Sequence, residues 1–145
     1  MTLHHNFILI HQANNYDSTS SSAMDLVTNR LFRDPSAWYN IILAVDTTQG
    51  TASNRVKIYV NGTQETSFST ETYPAQDSTL KALDSSKDTF IGVGEITNGN
   101  KFGYFNGYMS EYVFIDGSQL TPTSFGEFDE DSPTIWKPIN VSGYS

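Results

Sequence analysis

The sequence predicts an all-β chain, an antiparallel two-sheet β-sandwich or jelly roll with one short helical turn near residues 121–126. Three observations predict it. First, in N-R-V-K-I-Y-V-N-G-T-Q, residues 54–64, Val56, Ile58 and Val60 alternate with Arg55, Lys57 and Tyr59 and run into Asn61-Gly62. Period-two alternation makes a strand with one aliphatic side. Asn-Gly is the pair that most readily takes positive φ at both centres of a type I′ turn, so residues 63–68 are expected to return as the partner strand. Second, the remaining apolar runs have strand length and are separated by Gly, Pro, Asn, Asp and Ser. Third, 9 Phe, 8 Tyr and 2 Trp require an aromatic core and, with the Thr and β-branched content, favour sheet over helix.

In chain order, residues 3–12 read as an entering strand carrying the apolar run Phe7-Ile8-Leu9-Ile10. That run has no cationic segment before it and no small-residue cleavage site, so it is a strand rather than a signal peptide. His4, His5 and His11 lie around it; His4 and His5 are adjacent and point to opposite faces, which makes them strand-edge histidines rather than a metal site. Residues 13–28 have turn chemistry without periodicity and read as a long loop with a short strand at residues 24–27. Residues 31–33 form a short strand, and Asp34-Pro35-Ser36 a turn. Residues 37–46, A-W-Y-N-I-I-L-A-V-D, read as a central strand with either Trp38, Asn40, Ile42 and Ala44 or Tyr39, Ile41, Leu43 and Val45 inward. Trp38 is expected in the core; Trp136 is left open.

Polar residues 47–54 lead back to the Asn-Gly hairpin, which makes a meander. Residues 69–88 are polar and carry Pro74. Residues 89–95, T-F-I-G-V-G-E, form a short strand whose two glycines let a backbone or an aromatic ring approach closely. They are not a nucleotide loop, for no third glycine or helix follows. Asn98-Gly99-Asn100 is a turn. Residues 102–115 read as a long strand with Met109, Val113 and Ile115 on one face and Tyr108, Tyr112 and Phe114 on the other; Glu111 falls on the aliphatic face, a mismatch. Thr121 as N-cap and Pro122 at the first position begin the helical turn. The acidic, proline-punctuated tail that follows shows no closing strand.

The chain has the size of one domain, residues 1–145, and can bury about two-thirds of its unfolded surface. The net charge is −8 with no cluster of Lys or Arg, so nucleic acid and anionic membrane surfaces are excluded as partners. No apolar run approaches the roughly 18 residues of a membrane span. Cysteine is absent, which removes disulfides, Cys-zinc sites and thiol nucleophiles.

Four blocks occur in order over residues 37–128: W-Y-N-I-I-L-A-V-D, R-V-K-I-Y-V-N-G, F-I-G-V-G, and F-N-G-Y-M-S-E-Y-V-F-I-D-G-S-Q-L-T-P-T-S-F. Together they resemble a concanavalin A-like, laminin-G-type jelly roll. The wording of D-P-S-A-W-Y, A-V-D-T-T-Q, A-S-N-R-V-K-I-Y-V-N-G and F-I-D-G-S-Q-L-T-P-T-S-F-G-E-F is also similar to laminin-G-like segments in virion proteins of tailed bacteriophages, notably marine ones. The resemblance implies a tail-fibre or other virion-surface protein, a non-enzymatic, lectin-like structural or adhesion module. Its partners would be other virion subunits, as a homo-oligomer, and a host-surface glycan. Members of the family usually carry further strands before the first block and after W-K-P, so residues 1–145 are expected to be incomplete at one or both ends or to take an edge from a neighbouring subunit.

The fold also hosts glycoside hydrolases, which resemble one another in an E-x-D-x-x-E strand motif; that motif is absent here, and Glu111 has no partner acid. No G-x-S-x-G, metalloprotease helix or histidine triad is present, and the chain is not expected to be an enzyme. For a glycan, exposed aromatics beside amides and carboxylates are the candidates: Tyr16, Asp17, Tyr73, Phe102, Tyr104 and Asn106. Laminin-G-type domains often hold Ca²⁺ through loop oxygens. Asp46, Asn54, Asp84, Asp88 and Asp116 sit at expected strand ends where such ligands would converge. Asn61-Gly62-Thr63 and Asn140-Val141-Ser142 match the glycosylation pattern, but the first is explained by its turn.

Overall fold

A computed structural model describes residues 2–4, 7–12, 24–34, 36–80, 91–95, 101–102 and 104–141. In order these form strands β1 (Thr2–His4), β2 (Phe7–Gln12), β3 (Met24–Thr28) and β4 (Ile41–Val45), a helical turn α1 (Ala52–Arg55), then β5 (Val56–Val60), β6 (Thr63–Glu65), β7 (Phe68–Thr72), β8 (Gly94–Glu95) and β9 (Lys101–Phe102). A 3-10 turn (Pro122–Ser124), β10 (Gly126–Phe128) and β11 (Trp136–Pro138) complete the series. Every ladder among the described residues is antiparallel, and those residues form an all-β structure. The strand orders are β1-β2-β3-β7, β4-β5-β6, β8-β9 and β10-β11.

The Asn-Gly hairpin forms as its chemistry demands. Asn61 has φ +49° and Gly62 φ +74°, both left-handed, and Val60 pairs with Thr63 across them. Val56, Ile58 and Val60 are buried while Lys57 and Tyr59 are only partly covered. Arg55, expected on the strand's outer face, instead ends the helical turn. Its guanidinium donates to the carbonyls of Gln49, Gly50 and Pro74 at 2.8–2.9 Å, holding the 46–55 connection closed; backbone carbonyls in a local turn compete for that donor fork more effectively than water does.

The apolar faces of β3 and β5 meet in one cluster of Met24, Leu26, Phe32, Val56, Ile58 and Val60, with Tyr39, Ile41, Val45, Phe68 and Tyr73 packed around it. Leu26 and Ile58 are fully buried; each stabilises the fold by roughly 1.5–3 kcal/mol through burial. Phe32 meets Tyr39 edge-to-face with ring centroids 4.9 Å apart. The cluster therefore joins a strand of the four-stranded sheet to one of the three-stranded sheet.

Residues 63–68 do not make one return strand. β6 ends at Glu65 and the chain passes into β7, which pairs with β3 of the other sheet, Leu26 opposite Glu71 and Val27 opposite Thr70. This crossing is pinned. Glu65, 7% exposed, accepts from Arg30 Nε at 2.5 Å. Asn29 donates its backbone N–H to the Ser67 carbonyl and its amide to Ser67 Oγ, both at 3.0 Å. A carboxylate buried this far requires a cation, and Arg30 supplies it from a half-exposed position.

Several expectations are corrected. Residues 3–12 hold two strands, β1 and β2, paired Thr2 to Leu9 and His4 to Phe7. Residues 31–33 join no ladder; Phe32 turns into the core while its neighbours are exposed. The strand in residues 37–46 spans only Ile41–Val45 and, among the described residues, lies at the edge of its sheet rather than its centre. Leu43 is accordingly 41% exposed although opposite Ile58. Trp38 is 68% exposed, not core, because the ladder begins after it. Within residues 69–88, read as polar, residues 69–72 belong to β7, and residues 81–88 lie outside the described residues. The strand expected at 89–95 is limited to Gly94–Glu95 among the described residues, since Gly92 at φ +78° leaves the extended region; residues 89–90 and 98–100 lie outside the described residues.

Residues 102–115 do not form a long strand. β9 ends at Phe102, and Tyr108 and Met109, neighbours on opposite faces of the expected strand, are both exposed, so no face is buried. Glu111 has φ +55°, which breaks extended geometry and takes its carboxylate into solvent, resolving the mismatch seen in the pattern. The helical turn is present as Pro122–Ser124 with Pro at its first position, but Thr121 bonds Thr123 Oγ1 rather than capping the backbone.

The tail does close. β10 and β11 pair Phe128 with Trp136 and Gly126 with Pro138. Asp129 Oδ1 accepts from the N–H groups of Asp131 and Ser132 at 2.9 and 3.0 Å, and its other oxygen lies 3.0 Å from Lys137 Nζ. Three-residue strands are too short to show periodicity. The Trp136 ring stacks edge-to-face on Phe128 and covers Gly62 so closely that a Cβ there would lie 2.2 Å from Trp136 Cζ3. The hairpin turn is thus also a docking point for the tail, possible only without a side chain.

Candidate functional site

The short β8-β9 pair, Gly94 opposite Phe102 and Glu95 opposite Lys101, launches the segment of greatest interest. Past this pair the Phe105 N–H donates to the Gly92 carbonyl at 2.6 Å. A Cβ on Gly92 would stand 3.1 Å from both Phe105 Cβ and Met109 Cε, so this glycine admits the ring and the thioether, as expected from the spacing of the two glycines. Phe105 is half-buried, and its neighbours Tyr104 and Asn106 are exposed.

Beyond it Tyr108, at 88% the most open large apolar side chain among the described residues, is followed by the exposed Met109, Tyr112, Val113 and Phe114. Tyr108 and Tyr112 were expected on one face of a sheet; the alternation pattern gave no sign that neither face would be covered. Exposed phenol rings present a flat apolar surface with a polar tip, and the Asn106 amide both donates and accepts hydrogen bonds.

The other candidates are scattered. Tyr73 packs against the core, and its hydroxyl donates to Glu71 Oε1 at 2.6 Å. Burial, then that bond and the Glu71 charge, push its phenol above the ordinary range. Its ring is therefore largely committed to the fold. Phe102 occupies β9. Tyr16, Asp17, Asp84 and Asp88 lie outside the described residues. Asn54 is exposed in the helical turn, its N–H bonded to the Thr51 carbonyl, and Asp116 is exposed before Gly117.

Asp46 uses both oxygens. Oδ1 accepts from the N–H and hydroxyl of Thr48 at 3.0 and 2.7 Å, and Oδ2 from the Gln49 amide at 2.6 Å. The Thr48 hydroxyl first, then Gln49 and the Thr48 N–H, hold its pKa below the ordinary carboxylate value. A cation would displace those donors. Among the described residues no three His, Cys, Asp or Glu side chains converge, and no helix is long and apolar enough to cross a membrane. Comparison with protein-family models, with characterised proteins and with solved structures finds no match to this chain.

Proposed function

We propose that this chain is a non-enzymatic adhesion module of a virion surface or tail fibre that binds a host-surface glycan through residues 104–112. The observation that carries the reading is the outward presentation of Tyr104 and Asn106 on either side of anchored Phe105, continued by Tyr108. Sugar rings stack their C–H faces on such phenols while an amide bonds their hydroxyls. The acidic surface favours neutral or cationic ligands over phosphorylated ones. The wider architecture proposed is a laminin-G-like two-sheet sandwich. In its favour are the core cluster shared by β3 and β5 and the crossing at residues 65–68, as expected where a chain switches between packed sheets.

The test is a glycan array probed with the chain and with a Tyr104→Ala/Tyr108→Ala variant. Binding by the first and a loss of about ten-fold or more in the second, at unchanged melting temperature, is the expected result. Failure of the unaltered chain to retain any glycan would sink the proposal. A second reading, a decoration or fibre-assembly domain, is favoured by the exposure of Met109, Val113 and Phe114, which suit a protein partner better than a sugar. Self-association in sedimentation, lost on Phe114→Ser and accompanied by no sugar affinity, would select it. Calcium at Asp46, Asn54, Asp84, Asp88 or Asp116 is part of neither reading; a rise in melting temperature on adding Ca²⁺ would bring it in.

A further inference from the structure

Two Asn-Gly pairs among the described residues sit in opposite surroundings, and we infer that Asn106-Gly107 is a site of spontaneous deamidation from which Asn61-Gly62 is shielded by the fold. The reaction needs no partner but water. The Gly107 backbone nitrogen, having lost its proton to solvent base, attacks Cγ of Asn106. The new C–N bond closes a five-membered imide as the C–Nδ2 bond breaks and ammonia leaves. Water then opens the imide at either carbonyl, giving aspartate or isoaspartate. Overall an amide and water become a carboxylic acid and ammonia, with no change of oxidation state. A glycine on the C-terminal side permits the approach because no Cβ obstructs the nitrogen.

What decides the rate is whether the side chain can reach the attack geometry. Asn61 is held at both ends: its Oδ1 accepts the Asn40 N–H at 2.8 Å, and its own N–H donates to the Asn40 carbonyl at 2.9 Å. Ladder pairs stand on either side of its turn, and the Trp136 ring, from a distant element, lies on Gly62. To cyclise, Asn61 must break these contacts together. Asn106 is exposed in a stretch without ladder pairing, and its amide makes no hydrogen bond among the described residues. The ring nearest Gly107 is that of Phe105, two residues back in the same stretch rather than on a distant element. Conversion would place a carboxylate between Tyr104 and Tyr108 and take the net charge from −8 to one unit more negative. The inference is independent of any ligand.

The experiment is incubation of the intact folded chain in mildly alkaline buffer, with and without urea, followed by trypsin and mass spectrometry. Cleavage at Lys57, Lys81, Lys87 and Lys101 separates residues 61, 98 and 106 into different peptides. The pair at 98–99, outside the described residues, is thereby followed on its own. In the folded chain residue 106 should convert about ten-fold or more faster than residue 61, since two anchoring hydrogen bonds oppose the latter. In urea the two rates should converge. An Asn106→Gln variant should lose the conversion in its peptide. Equal rates at 61 and 106 in the folded chain, or no conversion at 106 there, would overturn the inference.

Discussion

The segment between residues 24 and 80 is poorer in Tyr, Phe, Val and Ile than the segment between 104 and 120, yet the first buries most of its apolar side chains and the second displays them. The difference is partnership. Val56, Ile58 and Val60 stand on a strand paired on both sides, facing β3 across a shared cluster. Tyr108, Met109, Tyr112 and Phe114 follow a two-residue strand, pass through a left-handed Glu111, and meet no ladder among the described residues. Apolar character alone does not bury a side chain; along β3 and β5 ladder pairing satisfies the backbone and sets the side chains against a facing strand.

The sharpest test of that contrast sets Ile58→Ala against Tyr108→Ser. Loss of the fully buried Ile58 should cost about 4 kcal/mol in urea unfolding, whereas Tyr108→Ser should lie within about 0.5 kcal/mol of the parent. Comparable losses would mean that residues 104–120 share the core. A second comparison uses two left-handed glycines with almost the same φ, +74° at Gly62 and +79° at Gly117. Gly62→Ala should cost about 3 kcal/mol, because the backbone is strained and the Trp136 ring must move. Gly117→Ala, with open space around it, should cost only about 1 kcal/mol from the backbone. Equal costs would show that β10-β11 does not dock on the hairpin.

The pinned crossing supplies the third. Arg30→Ala leaves the Glu65 carboxylate buried without its cation and should cost about 2 kcal/mol. Glu65→Gln keeps an acceptor for Arg30 and should cost clearly less. If the order reverses, Glu65 reaches solvent. The smallest effect is that of pH. Asp34, Asp46 and Asp129 are held below the ordinary value of 3.8, chiefly by Ser36, Thr48 and Lys137 respectively. A depressed carboxylate contributes stability that is complete above 3.8 and is lost as pH falls through its lowered folded value. Melting temperature should therefore decline as pH drops below 3.8, and Asp46→Asn should make that decline shallower. An unchanged slope would remove Asp46 from the account.

What residue chemistry alone determined was local. Asn61-Gly62 dictated its own turn, Val56, Ile58 and Val60 their own face, Pro122 its short helical turn, and the glycine at 92 the approach of an aromatic ring, because each depends on neighbours within a few residues. The all-β class followed from their sum. Tertiary structure decided which strands pair: β7 with β3 more than forty residues earlier, β4 at an edge, Trp136 on Gly62, and Trp38 in solvent. Such pairings join segments distant in sequence and are chosen by competition among several acceptable partners, so no local pattern encodes the winner. Residues 102–115 mark the limit most clearly. Their alternation specifies what a strand there would bury, but only a neighbouring strand would make them bury it.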